Sequence, residues 1–246
     1  MKAIRKIIVS LFGIKGYIKL VSQSYLMMVR NGMLKRKYPE LFFLKEMIQP
    51  GDVCIDIGAN LGYYSTFMIK YAGVKGEVHA VEPIPLFAEV WKRNVKYSKY
   101  DNLYLHPFAL GDEEKTVQMG IPVVDGVVHH GMTKVINGKT ANIVDSFDVI
   151  MKVPDKLFSG LSRLDFVKCD VEGFESFVFS NFVETLTKFK PRVQSELSGK
   201  ENREKVINLF KSLDYTVNIL ANNSLRELNE SEYHAFNQDF YFLPKN

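Results

Sequence analysis

The turn after the first predicted strand has the residue types of a nucleotide-binding loop. Residues 52–65 read as a short apolar run that ends in Asp56, a turn with Gly58 and Gly62, and then a helix. Glycines permit a sharp turn and the close approach of a ligand, and Asp56 would direct its carboxylate into the crevice where open α/β sheets bind ligands. Asn60 stands where a dinucleotide fingerprint has its second glycine, which favours a smaller ligand. A tight turn that binds nothing would have the same pattern.

Two further acids follow at intervals that suit a nucleoside. Glu82 ends the second predicted strand, twenty residues after Gly62, which is the distance expected for an acid that holds a ribose. Its carboxylate can accept hydrogen bonds from both ribose hydroxyls. Asp112 follows the third predicted strand, where it would meet the next part of the ligand, the base.

A second dense group of acids lies between residues 165 and 175. Asp170, Glu172 and Glu175 cluster where a strand gives way to a helix, at the same sheet edge as Asp56. The N-terminus of that helix can stabilise carboxylates. Capping of the helix is sufficient to explain Glu175, whereas Asp170 and Glu172 are better explained as site residues.

Four blocks of the chain resemble, in order and spacing, the FkbM family of S-adenosylmethionine-dependent methyltransferases. They are Asp56-Ile57-Gly58-Ala59-Asn60-Leu61-Gly62-Tyr63-Tyr64, Val81-Glu82-Pro83, Ala109-Leu110-Gly111-Asp112 and Lys168-Cys169-Asp170-Val171-Glu172-Gly173-Phe174-Glu175. The resemblance covers residues 51–244 and leaves the N-terminal segment unexplained. It implies an α/β, class I methyltransferase (Rossmann-like) fold, with a mostly parallel seven-stranded sheet whose last strand is antiparallel. It also implies methyl transfer, usually to a hydroxyl oxygen.

The same resemblance implies roles for single residues. The methionine moiety would be surrounded by Asp56, Gly58, Asn60 and Gly62, the ribose hydroxyls would be held by Glu82, and Asp112 would lie near the adenine. The block at residues 170–173 would face the transferable methyl and the acceptor. The middle of the chain departs from the commoner family pattern, notably at residues 127–132, where acceptor contacts are expected.

Methyl transfer to an alcohol requires a base as well as alignment, because the hydroxyl proton must be removed. The candidates are His129, His130, Asp170, Glu172 and Glu196. Histidine has the side-chain pKa nearest neutrality, and the paired histidines in a loop with glycine favour His130 ahead of His129. Oxygen ligands from Asp170, Glu172 and Glu196 could instead hold a divalent cation. Their spacing is not typical of a metal site, so we predict no metal.

A sheet of parallel strands is needed to bring these residues together. Strand and helix patterns alternate along the chain, with strands at 52–57, 76–82, 102–106, 164–169 and 192–197, helices at 61–71, 85–97, 173–182 and 203–213, and a closing pair of strands at 215–220 and 239–243. Such alternation predicts parallel strands with crossover helices. Residues 113–158 break the rhythm, and 141–151 could be a strand or the start of a helix.

The N-terminal segment differs in charge from the rest of the chain. Residues 1–37 carry nine cations and no acid, so the remainder has five more acids than cations. Apolar residues recur at helical spacing from Ile4 to Ile18, which predicts a basic amphipathic helix. Such a helix could lie on an anionic membrane or pack its apolar face on the body. A second helical pattern at 25–47 ends at a turn, so we divide the chain into a helical extension, 1–49, and a methyltransferase domain, 50–246.

The composition is that of an ordinary globular protein, with 46% hydrophobic residues among 246. Cys54 and Cys169 both lie in apolar runs, so a disulfide framework is not expected and a reducing cytoplasm is, with membrane association through residues 1–37 as a further option. The mildly acidic body argues against nucleic acid as a partner. No apolar run reaches the ~18 residues of a spanning helix.

We therefore expect a cytoplasmic O-methyltransferase that uses S-adenosylmethionine and acts on a sugar or glycan-like hydroxyl. Two rivals stay open. An NAD-dependent oxidoreductase would explain Glu82, although the third glycine of its fingerprint is missing. A non-catalytic binding module on the same fold would bind the ligand without turnover.

Overall fold

The computed structural model describes residues 2–96, 98–124, 127–128, 134–135 and 143–245. The helices are α1 (Lys2–Arg30), α2 (Pro39–Met47), α3 (Tyr63–Ala72), α4 (Pro85–Val95), α5 (Pro154–Leu157), α6 (Glu175–Ser180), α7 (Val183–Phe189) and α8 (Lys200–Ser212). The strands are β1 (Val53–Ile57), β2 (Glu77–Val81), β3 (Leu103–His106), β4 (Ala109–Leu110), β5 (Lys115–Val124), β6 (Val127–Val128), β7 (Lys134–Val135), β8 (Ile143–Lys152), β9 (Phe166–Cys169), β10 (Arg192–Glu196), β11 (Tyr215–Ala221), β12 (Ser224–Glu227) and β13 (Asp239–Pro244). Two short 3₁₀ helices span Gly73–Lys75 and Glu230–Glu232.

The main sheet has the strand order β12-β11-β13-β10-β9-β1-β2-β3. The pairs from β3 through β2, β1 and β9 to β10 are parallel, and β13 lies antiparallel between β10 and β11. Chain order reverses between β1 and β9, so their carboxyl ends flank a topological switch point, where open α/β sheets bind ligands. The expected α/β, Rossmann-like class I methyltransferase fold is thus confirmed.

The expected number of strands is wrong by one. The eighth strand in the described sheet, β12, pairs antiparallel with β11 at the edge. Asn222 and Asn223 join the two strands with φ of 51° and 64°. Asparagine tolerates this left-handed region, and two such residues in a row form the tight turn of a hairpin.

The middle of the chain forms a second sheet of β4, β8, β5 and β6, with β7 paired to β5; β4 is parallel to β8 and the other pairs are antiparallel. The undecided segment at 141–151 is a strand in its described part, because β8 pairs with β5 from Met151 to Ile143. Side chains of this sheet, Met119 and Phe147, pack against residues at the start of α4.

The N-terminal helices pack on the body. Buried residues of α2, Leu41, Phe43, Leu44 and Met47, share one hydrophobic cluster with β1 and α3. In α1, Gly13 breaks the helical geometry with φ 65° and ψ 175°. Beyond this kink, Ile18 packs beside Ile84 and Phe87. No helix in the described part of the chain is long and apolar enough to cross a membrane.

Candidate cofactor and acceptor site

The loop between β1 and α3 takes the left-handed conformation at Gly58, Asn60 and Gly62, with φ of 75°, 48° and 84°. A Cβ on Gly58 would lie 1.9 Å from the carbonyl oxygen of Asp170, and a Cβ on Gly62 would lie 2.8 Å from the Trp91 ring. The two glycines are therefore needed for close packing against neighbouring protein as well as for backbone conformation. This packing fixes the loop against the end of β9.

Asp56 lies beneath that loop and is fully buried. Its Oδ2 accepts a hydrogen bond from Ser65 Oγ at 2.5 Å, and Ser65 Oγ accepts one from Trp91 Nε1 at 2.8 Å. Burial raises the pKa of Asp56, against the effect of the Lys168 charge. Asp56 Oδ1 has no hydrogen-bond partner within the described structure, so it remains available to an amine or amide donor.

Glu82 lies at the end of β2 and is only 4% exposed. Its Oε2 accepts a hydrogen bond from the backbone N–H of Asn60, and its Oε1 one from that of Ile84, both at 2.8 Å. Burial raises its pKa to about 7, although these two hydrogen bonds favour the charged form. Each carboxylate oxygen keeps a second lone pair, so two hydroxyls could bind to a carboxylate whose orientation is already fixed.

A cleft opens beside these residues. The sequence-predicted residues Gly58, Asn60, Glu82, Asp170 and Glu172 all line it. The other lining residues are Ile57, Val81, Pro83, Ile84, Phe87, Phe108, Ala109, Leu110, Met119, Val171, Phe174 and Val178.

Most of the apolar lining was not predicted. Phe108 and Leu110 follow β3, Phe87 lies in the first turn of α4, and Met119 comes from β5 in the second sheet. Phe108 and Leu110 offer an apolar wall that suits a planar base. Phe108, Leu110 and Phe87 stand within a few residues of the predicted strand ends, which is a signal that sequence reasoning could have used. Met119 has no such signal.

Asp112 stays only a predicted contact of the adenine. It lies outside the cleft lining, in an exposed turn after β4, and its Oδ1 is 3.9 Å from Lys115 Nζ. Gly62 and Glu196 are likewise absent from the lining. His129 and His130 lie outside the described residues, so their predicted role as the base stays a prediction.

Glu175 organises the turn that carries Asp170 and Glu172. Its Oε1 accepts hydrogen bonds from the backbone N–H groups of Val171, at 2.9 Å, and Gly173, at 3.1 Å. Glu175 is 1% exposed and holds the turn before α6, but it does not cap that helix as the sequence interpretation proposed, because α6 has no side-chain cap at its N-cap residue. Glu172, held in this turn, has φ 56°, a left-handed conformation that is costly for a residue with a side chain.

A buried cation lies behind this turn. Lys168 is 4% exposed, and its Nζ donates to Asp170 Oδ2 at 3.1 Å and lies 4.4 Å from the centre of the Tyr64 ring. Burial lowers the pKa of Lys168, but the charges of Asp170 and Asp56 outweigh this and raise it overall. Lys168 therefore stays charged and orients Asp170. It was not singled out from the sequence.

Glu196 lies at the end of β10, beside the cleft, in an acidic environment. Partial burial and the nearby charges of Asp170, Asp239 and Glu172 raise its pKa to about 7. A carboxylate with a pKa near the working pH is suited to accept a proton. Among the described residues, no group of three or more His, Cys, Asp or Glu side chains is arranged to hold a metal ion.

Comparison with known families agrees with this geometry. The model of a family described as methyltransferase FkbM domain matches residues 56–218, which include the end of β1, all of β2 and the strand ends that form the cleft. No curated protein sequence is significantly similar to the chain.

Among solved structures, the chain is similar to the methyltransferase FkbM from Methylobacillus flagellatus KT, with a TM-score of 0.52 and 14% identity over 78% of this chain and 43% of that one. The chain thus spans less than half of that protein. It is also similar to an S-adenosylmethionine-dependent O-methyltransferase from Thermotoga maritima (TM-score 0.48, 13% identity, 85% and 66% covered). A third is the precorrin-6y C5,15-methyltransferase from Geobacter metallireducens GS-15 (TM-score 0.46, 12% identity, 81% and 82% covered). At such identities the likeness concerns the fold alone.

Proposed function

The chain belongs to the FkbM family of methyltransferases, and from this premise we propose that it transfers a methyl group from S-adenosylmethionine to a hydroxyl of a sugar or glycan-like acceptor. The observation that carries the proposal is the cleft at the switch point of the sheet. It joins a buried carboxylate suited to a ribose, Glu82, to an acidic edge suited to hydroxyl chemistry, Asp170 and Glu172.

The residues present fit the cofactor. Glu82 has a lone pair free on each oxygen for the ribose hydroxyls, and the buried Asn60 Oδ1, like Asp56 Oδ1, has no partner in the described structure. Asn60 lines the cleft on its β1 side, where the methionine ammonium would supply donors, and Asp56 lies buried behind the lining. Phe108 and Leu110 offer an apolar wall to the adenine. When bound, the cofactor supplies a methyl group on a positively charged sulfur.

The acidic edge supports the choice of a hydroxyl acceptor. Asp170 and Glu172 line the cleft and Glu196 stands beside it, with Lys168 already paired to Asp170. Carboxylates accept hydrogen bonds from hydroxyls, and their negative charge disfavours phosphate or carboxylate acceptors. Glu196, with its pKa raised to about 7, is the described residue best suited to accept the hydroxyl proton. His130 and His129 stay alternative bases.

The cofactor half of the proposal can be tested by calorimetry. Titration of the purified chain with S-adenosylhomocysteine, the demethylated product, should show one site, and NAD should show none. Binding of NAD instead would favour the oxidoreductase and overturn the proposal.

The acceptor half requires a screen with S-adenosylmethionine labelled in its methyl group. Mono- and oligosaccharides should acquire label, and Glu196→Gln should lower the rate without weakening cofactor binding. Cofactor binding with no labelled saccharide product would favour the non-catalytic module.

Full activity after exhaustive chelation is expected. A loss of activity that Mg²⁺ restores would show that the enzyme needs a metal. The two buried cysteines, neither in a disulfide, fit a reducing cytoplasm as the proposed location.

A further inference from the structure

The helix α1 presents apolar residues on two opposite faces after its kink. The inner face, Ile18, Ser22, Leu26 and Val29, is buried at spacings of three and four residues. The outer face carries Leu20, Val21, Met27 and Met28, which are 37–66% exposed. Leu20 and Met27 are two helical turns apart and therefore lie on the same side. A soluble helix is normally polar on the side that faces solvent.

Exposed apolar side chains are concentrated in this part of the chain. Of the eleven large apolar side chains that are exposed among the described residues, seven lie between positions 11 and 33. They include Leu11 at 71% and Phe12 at 65%, just before the kink, and Met33 at 68%, just after the helix. Such a concentration marks an interaction surface rather than scattered exposure.

The charge of the segment identifies the kind of partner. Residues 1–37 hold nine cations and no acid, and Lys15, Arg30, Lys35 and Arg36 are exposed beside the apolar residues. A second copy of the chain that docked through the same segment would bring like charges together and be repelled. An anionic bilayer offers an apolar interior and negative headgroups together, which is the combination that basic amphipathic helices bind.

We propose that the outer face of α1 binds an anionic membrane surface. The helix is well anchored for this purpose, because Ser22 and Asn94 are hydrogen-bonded to each other and Asn94 Nδ2 donates to Leu61 O at 2.7 Å. Lys19 also forms an ion pair with Glu89 of α4. The membrane-bound helix and the cofactor loop are thus joined by direct contacts.

This attachment would bring the cleft close to the lipid surface. Ile18, on the inner face of α1, belongs to one hydrophobic cluster with Ile84 and Phe87. Both of these line the cleft. The bilayer-facing helix and the cleft therefore share one hydrophobic cluster, which would place an acceptor carried by a membrane lipid near the cleft.

Vesicle co-sedimentation of the full chain tests the proposal. We expect binding to phosphatidylcholine vesicles that contain phosphatidylglycerol, and at least tenfold weaker binding to phosphatidylcholine alone. Replacement of Lys35, Arg36 and Lys37 by Gln should weaken binding about fivefold per cation, or about a hundredfold in total.

Apolar contact is tested by Leu20→Asp with Met27→Asp, which should abolish binding. Ile150→Asp is the matched control, because Ile150 is also about half exposed (51%) but lies in β8, and it should bind as the unaltered chain does. Binding of S-adenosylhomocysteine in each variant reports that the fold is intact and is independent of the vesicle result. Equal binding to neutral and anionic vesicles, or no binding to either, would overturn the proposal. It would also be overturned if the unaltered chain formed a dimer in vesicle-free buffer and the Leu20→Asp, Met27→Asp variant were a monomer.

Discussion

Replacement of Glu82 by Gln should separate cofactor affinity from folding. The carboxylate now receives two backbone hydrogen bonds, each at 2.8 Å, and would receive two more from the ribose hydroxyls. A hydrogen bond to a charged group contributes about 1.5–3 kcal/mol, and Gln keeps only one of the two acceptor oxygens. A loss of about 2–4 kcal/mol is therefore expected, which is a roughly 30- to 1,000-fold weaker affinity for S-adenosylhomocysteine.

The pH dependence gives this prediction a second, independent readout. Burial raises the pKa of Glu82 to about 7, whereas hydroxyl donors favour the charged carboxylate and would lower that pKa in the complex. Below pH 7 the free protein must therefore release a proton from Glu82 to bind the cofactor. Affinity should fall as the pH drops below about 7, by up to tenfold per pH unit. In Glu82→Gln this component should vanish.

Stability of the unliganded variant should change little. A pKa raised from 4.5 to about 7 means that Glu82 contributes stability below pH 4.5 that is lost as the pH rises through 7, about 3 kcal/mol in total. Gln avoids that loss. However, its NH₂ group faces one of the two backbone N–H donors and cannot accept a hydrogen bond from it, which costs about 1–3 kcal/mol. The two effects offset each other near neutral pH.

Calorimetric titration between pH 5.5 and 8 measures the affinity for S-adenosylhomocysteine, and thermal unfolding measures stability. This pH range lies on both sides of the Glu82 pKa of about 7. Glu77→Gln is the matched control, since Glu77 lies at the opposite end of the same strand and its side chain is 45% exposed. An affinity of Glu82→Gln within threefold of the unaltered chain, or an unchanged pH profile, would refute the assignment of Glu82 to the ribose, because the weakest expected loss is ~30-fold.

Three further predictions concern the support of the site. Gly62→Ala should lower the free energy of unfolding by about 2–4 kcal/mol, because Gly62 has a left-handed φ and a Cβ there would lie 2.8 Å from Trp91. Gly51→Ala is the control, since Gly51 has φ 93° but open space around it, and it should lower the free energy of unfolding by less. Equal shifts in the thermal unfolding temperature would contradict the role of the Trp91 contact. Trp91→Phe removes the hydrogen-bond donor to Ser65 Oγ and should lower the free energy of unfolding, measured in urea, by about 1–3 kcal/mol. An unchanged free energy of unfolding would show that this hydrogen bond is dispensable. Burial and His79 lower the pKa of His106 to about 4, so the unfolded chain takes up a proton at higher pH than the folded chain does. Between pH 7 and 5 the unaltered chain should therefore lose about 1 kcal/mol more stability than His106→Phe, after allowance for solvent screening of this half-buried ring. Parallel stability curves would contradict this.

The part of the cleft lining that comes from the main sheet was predictable because its signals are local. Gly58, Asn60 and Glu82 each follow a strand directly, and a parallel sheet brings such strand ends together whatever the loops between them do. The purpose of the glycines was only partly predictable, since the neighbours that exclude a Cβ, Asp170 and Trp91, lie on other elements. Asp112 shows the limit of the same rule: it follows a strand, but that strand, β4, belongs to the second sheet.

A buried polar row across the main sheet shows why other site residues escaped notice. Asp56 stands beside Lys168, Lys168 beside Gln194, and Gln194 beside Tyr241, each pair in register on neighbouring strands. All four side chains are at most 4% exposed. Their strands are far apart in sequence, so no window of the chain contains the row. A buried lysine within an apolar strand is expected to have a charged partner, and that rule alone could have singled out Lys168.

The predicted residues that line the cleft come from the strand ends of the main sheet, whose order is fixed by the fold. The proposed cofactor contacts follow β1 and β2, and the proposed acceptor edge follows β9. Two further lining residues were not predicted, Met119 on β5 of the second sheet and Phe87, which packs beside Ile18 of α1. Neither the second sheet nor α1 belongs to the predicted alternation of strands and helices. A chain with the same four motifs but a different β5 or α1 would keep the cofactor and change the acceptor. Exchange of these two elements, rather than of the acids at the strand ends, is therefore the route by which specificity should be altered.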